Sequence, residues 1–588
     1  MKKRLILALV LLLAGLQILN AIPASPGKFV YTQPDGKRIV LQRHGDEFGH
    51  WLTNASGKMV RLDADGFYRE VSEETAATIR RNAAARHSAV NQARIAKTAG
   101  AVRGQRHFLV ILVEFSDLPF TTCEDPHAAF SAQMNEKGYS KNGGTGSARD
   151  YFFENSNGLF EPIFDVFGPV TLPKEKSYYG ANTGISGNDA HPGQALIHGC
   201  ELLDDEIDFS QYDSDGDGEV DMVLMYYAGY GEADSYDHNA IWPHEWALSG
   251  QGESLSLDGV KIDTYSCTNE KNGPGTGNVD KMCGIGTACH EFGHALGLPD
   301  MYDTDGDSSS GEAGGLYSYS VMCTGSYNNM GRTPPYYCFE ERKFLGWMSD
   351  SDCLEFEKTG TYSIQPVNSQ MIYRTYTDMD GEYFLYENRA KTGWDKYIPE
   401  AGLIVYHVDK SSRRVGWSTA KGLWDNWETT NAINCNGKHP CYYIVPSNAQ
   451  DNLNYSNDGF NVNSGVAFPY RNINTYVPVS WNGVEGVVRF SDISYKNNTV
   501  TLRAYVPTGD VDYVTIADPG SYRAGGRFNF ELVCPESAET PDSVVWYYDD
   551  EPAGADSVTL TAGAHTVEAH LTNADGRRSV LTLEIVVK

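Results

Sequence analysis

The chain has 588 residues, 41% hydrophobic and 21% charged, which is ordinary for globular protein but too long for a single core. Its net charge of −30 argues against a nucleic-acid partner, because phosphate binding needs basic patches. Its 59 glycines and 36 tyrosines, with few long apolar helical patterns, favour a β-rich architecture.

In chain order, "MKKRLILALVLLLAGLQILNA" reads as a signal peptide over residues 1–21. Lys2, Lys3 and Arg4 form the positive end, Leu5 to Leu19 the apolar run, and small residues follow near Ala21. That run is short for a bilayer span of about 20 residues, and no later run spans one. The expectation is a secreted or extracytoplasmic protein with no transmembrane segment after signal removal. Export permits disulfides. Among the 11 cysteines, Cys435 and Cys441 close the short loop "CNGKHPC" and are the best-placed pair. No C-x-x-C occurs, which removes thiolate zinc fingers and thioredoxin chemistry.

Residues 22–78 give short strand-like runs. Ile79 to His107 then carries seven Lys or Arg and no acid in an otherwise acidic chain. It shows no clear apolar stripe and reads as an exposed linker or loose helix, suited to processing between a pro-segment and an enzyme. The pro-segment with its basic linker is expected over 22–104. No cysteine occurs between residues 22 and 122, so a thiol cannot cap a metal from this segment. Steric or carboxylate-based blocking is expected instead.

"FLVILVEF" (Phe108 to Phe115) is a buried strand by its continuous apolar run. "SARDYFFEN" reads as a short helix and "LFEPIFDVFGPVTL" as a long strand or hairpin. "HPGQALIHGCELLDDE" is a helix with Leu196, Cys200 and Leu203 on one face, and "VDMVLMYYAG" is another strand. The stretch "TACHEFGHALGLPD" (Thr287 to Asp300) follows. Helical geometry places Ile285, Ala288, Cys289, Phe292, Ala295 and Leu296 on one face. His290 and His294 fall on the other, one turn apart, where both imidazoles can reach one Zn²⁺. Glu291, beside the first ligand, can take a proton from a zinc-bound water. Gly297 lets the chain leave the helix, and Asp300 stands six residues after His294, where H-E-x-x-H-x-x-G-x-x-H peptidases place a third ligand. Asp303, Glu312, Glu340 and Glu341 remain open for that role. Met322 in "YSVMCTG" can underlie the metal as a Met-turn, and Tyr327 can bond an oxyanion.

"HEFGHALGLPDMYD", "YSVMCTGSYNN" and "FLGW" resemble the immune inhibitor A family of secreted bacterial zinc metallopeptidases. So do "FLVILVEFSDLPF" upstream and "LYENR", "GWD", "GLIVYHVD" and "YVPVSWNG" downstream. The resemblance runs over about residues 105 to 505. It implies a zinc endopeptidase made as a precursor and acting on proteins or peptides.

The expected fold class is α+β. It comprises a zincin or metzincin-like catalytic domain with an active-site helix (105–350), a β-rich companion belonging to the peptidase core (351–507) and an Ig-like β-sandwich (508–588). Calcium is a second expected cofactor. In "DSDGDGEVD", Asp213, Asp215, Asp217 and Asp221 take loop positions 1, 3, 5 and 9 of a D-x-D-x-D-G pattern, although Leu224 stands where an EF-hand has Glu. "DTDGDSSSGE" (Asp303 to Glu312) is a weaker candidate. The rival class is a calcium-stabilised extracellular binding or adhesion protein on a metalloprotease fold. Glu291 speaks against it, because a pure binder needs no base.

Overall fold

The computed structural model describes residues 20–588 apart from 47–48, 92–101, 185–186, 305–312, 314, 415–421, 449–464, 507–513, 535–539, 550 and 573–577. The signal-peptide assignment therefore lies almost wholly outside the described residues. Among the described residues, no helix is long and apolar enough to cross a membrane.

The catalytic segment is organised by a six-stranded sheet. Its order is Asn20–Ala21, His244–Ala247, Thr264–Lys271, Val223–Tyr230, Gly104–Glu114 and Phe160–Thr171. The last four are parallel, while His244–Ala247 runs antiparallel to Thr264–Lys271. Alternation along Gly104–Glu114 sends Phe108, Val110 and Leu112 to one core and Leu109, Ile111 and Val113 to another. Both faces are covered, which is why this strand reads as an unbroken apolar run. Helix Pro192–Leu203 covers the second face through Ala195, Leu196, Cys200 and Leu203. Helices Pro126–Asn135 and Ala148–Asn155 cover the first, with the active-site helix Gly286–Ala295. "LFEPIFDVFGPVTL" resolves into one strand rather than a hairpin. The strands His244–Ala247 and Thr264–Lys271, absent from the sequence reading, complete the sheet beside the active-site helix.

Residues beyond 350 continue the same core. A five-stranded sheet contains Leu354–Glu355, Ile372–Tyr376, Glu382–Arg389, Gly402–Asp409 and Tyr442–Val445. Leu385, Ile404, Tyr406 and Tyr442 pack in one cluster with Met322, Tyr337 and Phe339 of the catalytic segment. A buried ion pair joins the two parts. Arg389 meets Asp395 through two 2.7 Å bonds and also donates to the carbonyls of Tyr336 (2.9 Å) and Tyr319 (3.2 Å). Residues 514–588 are all β where described, with a four-stranded antiparallel sheet of Glu551–Pro552, Ser543–Tyr548, Gly563–Thr572 and Arg578–Val587.

The N-terminal unit is a five-stranded antiparallel sheet from Lys28–Thr32 to Tyr68–Glu70, followed by helix Glu73–Asn91. Ala76 and Ile79 of this helix cluster with Met59, and Ala83 is buried too. Of the two readings of the basic stretch, its start takes the helical one, with Ile79 and Ala83 buried. Strand Gly104–Glu114 takes the other end of the stretch. No disulfide forms among the described cysteines. The expected Cys435–Cys441 bridge is absent, and Cys435 Sγ lies 3.2 Å from Thr304 Oγ1 instead.

Removing one partner of a buried ion pair leaves the other charge uncompensated, at a cost of about 3–5 kcal/mol. Asp395→Ala should therefore lower the thermal midpoint far more than alanine at the exposed pair Lys58–Glu70, as differential scanning calorimetry would show.

Candidate active site

Helix Gly286–Ala295 ends where Gly297 adopts φ +102°, a left-handed conformation that costs a residue with a Cβ. The chain then folds back under the helix. The result is a convergence of three side-chain atoms. His290 Nε2 and His294 Nε2 lie 3.1 Å apart, and Asp300 Oδ1 lies 3.4 Å from the first and 3.3 Å from the second. A tetrahedral site with bonds of about 2.0–2.1 Å requires ligand separations of about 3.3 Å, so the spacing fits one small divalent ion. Asp300 Oδ1 is buried with no hydrogen bond, as an atom awaiting a metal should be.

The supporting shell fixes each group. His290 Nδ1 is 2.7 Å from Val321 O, and His294 Nδ1 is 2.8 Å from Leu298 O. A carbonyl only accepts, so each Nδ1 carries the proton and each Nε2 presents its lone pair to the centre. Asp300 is clamped by Asn431, which donates from Nδ2 to Oδ2 and accepts the Asp300 N–H at Oδ1, both at 2.7 Å. Met322 underlies the helix: a Cβ on Gly293 would come within 2.7 Å of Met322 Sδ. Burial raises the Asp300 carboxyl, but positive charge at the centre, whether protonated His294 and His290 or a bound cation, pulls it below the ordinary carboxylate range. Burial also lowers His294, keeping the imidazole neutral. Both effects favour the forms that bind a cation.

Glu291 is fully buried, with its carboxylate within 4.8 Å of both imidazoles. Burial, with the Asp300 charge added, pushes its carboxyl up. Glu291 Oε2 has no partner, and Oε1 accepts the Ile22 N–H at 3.0 Å. That contact places the start of the N-terminal unit inside the cleft. Asn20 and Ala21 pair antiparallel with Glu245 and His244 of the edge strand. Trp242 Nε1 donates to Ile22 O at 3.1 Å, Tyr327 Oη to Pro23 O at 2.8 Å, and Ser25 N to Ala233 O at 3.0 Å. An extended segment added to a sheet edge above a metal-type cluster is how a peptide is held by its backbone. The group that meets Glu291 from the N-terminal segment is thus a backbone nitrogen.

Other candidate residues lie elsewhere. Glu340 accepts from Tyr383 and Lys410, and Glu341 from Ser320 and the Cys338 N–H. Asp303 accepts the Ala313 N–H at 3.0 Å, and Glu312 falls outside the described residues, as does most of 303–312. Asp213, Asp215 and Asp217 come together, but their oxygens accept N–H groups of Gly216, Asp217, Gly218 and Glu219. Asp221 turns instead to Ser214. This is an Asp/Gly turn pinned by its own backbone, and nothing else there points to calcium. Sequence reasoning missed Asn431, 131 residues beyond Asp300. No local pattern could have found it.

A sheet with a helix bearing His–Glu–x–x–His beside its edge strand defines a zincin-like metallopeptidase domain. Residues 93–346 match the model of the immune inhibitor A peptidase M6 catalytic domain. The chain is 26% identical over 280 residues to immune inhibitor A of Bacillus thuringiensis subsp. alesti, covering 40% of this chain and 39% of the relative. It is 26% identical over 262 residues to the pre-pro-metalloprotease PrtV of Vibrio cholerae serotype O1 (strain M66-2), covering 39% and 28%. The chain thus spans well under half the length of either relative. The structure of wild-type OgpA from Akkermansia muciniphila aligns over 84% of this chain and 96% of that one, at 9% identity and a TM-score of 0.22.

Loss of a group that orients a metal ligand typically costs about 10–100-fold in affinity. Asn431→Ala should reduce metal retained after dialysis, Asp300→Ala should reduce it further, and Glu340→Ala should leave it near the wild-type value. Elemental analysis of the three variants checks this order.

Proposed function

We propose that the chain is a secreted zinc-dependent endopeptidase held latent by its own N-terminal unit. The observation that carries this reading is the convergence of His290, His294 and Asp300 beside Glu291, under an edge strand that already holds an extended peptide. In this reading His290, His294 and Asp300 hold Zn²⁺, which supplies a Lewis acid for the scissile carbonyl and lowers the pKa of water. The protein supplies the rest. The edge strand His244–Ala247 aligns a protein or peptide substrate by backbone hydrogen bonds. Glu291 takes the proton of the attacking water and returns it to the leaving amine, a role suited to a carboxyl raised by burial. Tyr327, whose hydroxyl here donates to the Pro23 carbonyl, would turn to the oxyanion once that segment leaves.

Latency follows from Ile22. With the expected signal cleavage after Ala21, the nitrogen 3.0 Å from Glu291 becomes a free α-amino group, protonated below its usual pKa of about 8. An ammonium there pairs with the base and fills the position the attacking water needs. Removal of the N-terminal unit frees Glu291 and Tyr327 together. The binding-protein alternative leaves both the buried base and its blocking unexplained.

Loss of a general base costs about 10²–10⁴-fold. Glu291→Gln should therefore keep its zinc yet lose nearly all hydrolysis of denatured protein, and a chelator should abolish wild-type activity. Glu291→Gln within a few-fold of wild type would refute the assignment. For latency, the intact chain should be inactive, and N-terminal sequencing of the active form should begin after Asn91 and before Gly104. A fully active form beginning at Ile22 would overturn the blocking role of the N-terminal unit.

A further inference from the structure

A second contact between the N-terminal unit and the catalytic segment has the form of ligand recognition. Arg43, on strand Arg38–Asp46, reaches out of its own sheet into a pocket of the catalytic segment, where its side chain is 2% exposed. Its Nη1 donates to Glu232 Oε1 at 3.1 Å, and Nε and Nη2 both donate to Ser235 O, at 3.1 and 2.7 Å. The guanidinium carbon lies 5.9 Å from the centre of the Trp242 ring. This donor fork against one carbonyl and one carboxylate, with an aromatic face beside it, suits a guanidinium and not an ammonium.

The pocket itself is built around buried acid. Glu232 is 0% exposed, and its Oε2 has no hydrogen-bond partner. Asp189 Oδ1 and Asp234 Oδ1 nearby are also buried without partners. The basic side chains that meet Glu232 are Arg43 and His50, both from the N-terminal unit, and His238 of the catalytic segment. Burial raises the Glu232 carboxyl, but His50 and Arg43 outweigh it. When the N-terminal unit leaves, Arg43 and His50 leave with it, Glu232 retains His238 and the Asn182 amide, and the carboxylate has room for another guanidinium. The pocket adjoins the path of the bound peptide. Ala24 N donates to Gly45 O, two residues from Arg43, and Ser25 N donates to Ala233 O, next to Glu232. Trp242, which borders the guanidinium, also holds Ile22 O over the catalytic centre.

We propose that Glu232, the Ser235 carbonyl and the Trp242 ring form a substrate subsite for an arginine side chain, which Arg43 occupies in the precursor. The proposal rests on the peptidase reading above and adds what that reading lacks, a rule for which peptides are cleaved. The arginine is expected two or three residues from the residue lying over Glu291, as Ala24 and Ser25 lie from Ile22. The N-terminal unit is then a two-point inhibitor: the Ile22 nitrogen sits on the base and a guanidinium fills the selective pocket.

The test activates the full chain and compares peptide pairs in which arginine is replaced by its uncharged isostere citrulline, scanned across positions on both sides of the cleaved bond. One charge-assisted contact supports a discrimination of roughly 10–100-fold. The wild-type enzyme should show that ratio in kcat/KM at one position, mainly through KM. Glu232→Gln should bring the ratio close to one, and Glu232→Asp, which keeps the charge but shortens its reach, should give an intermediate value. Efficient cleavage with no arginine preference at any position, or a preference unmoved in both variants, would overturn the subsite. If the wild-type enzyme cleaves no peptide at all, the peptidase reading fails separately. The pocket is then judged by fluorescence anisotropy of the same labelled peptides on the processed protein: preferential binding of the arginine peptide supports it, and equal binding overturns it.

Discussion

The constraint on which the rest of this structure depends is the burial of charge at the foot of helix Gly286–Ala295. Three groups able to bind a cation, and a fourth able to move a proton, sit with almost no solvent around them. Such a cluster survives only if each remaining polar atom has a partner, because an unpaired buried charge costs several kcal/mol. The carbonyls of Val321 and Leu298 and the amide of Asn431 supply those partners. They come from the Met322 turn, from the chain just after the helix and from the region beyond residue 350. The companion sheet is therefore part of the site's scaffold, and the Arg389–Asp395 pair that welds it to Tyr319 and Tyr336 serves the same end.

The N-terminal unit answers to the same physics. A cleft built to desolvate a carboxylate and offer a bare sheet edge is a hazard when unoccupied. Residues Asn20–Ala21 pair with His244–Ala247, and the Ile22 nitrogen that follows meets Glu291. Arg43 and His50 bring positive charge to Glu232 in a region that otherwise gathers acids.

Much of this was legible in the sequence, where local rules apply. The 3.6-residue period places His290 and His294 on one face of a helix, and Gly297 marks where the chain must turn. The continuous apolar run of "FLVILVEF" announces a strand covered on both sides. These are short-range consequences of backbone geometry, readable from a dozen residues. The helix at the start of the basic stretch was one of two readings open to the sequence, because Ile79 and Ala83 alone make too short an apolar stripe to decide between them. The missing Cys435–Cys441 bridge shows that sequence proximity of two thiols does not align them for bonding.

What only the tertiary structure decided are pairings between residues far apart. Asn431 meets Asp300 across 131 positions, Ile22 meets Glu291 across 269, and Arg43 meets Glu232 across 189. Each is a hydrogen bond or ion pair in which at least one partner (Asn431, Ile22, Arg43) carries no distinguishing local pattern. Their partners are chosen by which strands lie at the sheet edge and how the chain returns to them. By itself, the sequence determined the helix, its ligand-type face and the acid beside it. The fold decided which carboxylate completes the cluster and what lies across the cleft, because those outcomes depend on long-range packing that no local period encodes.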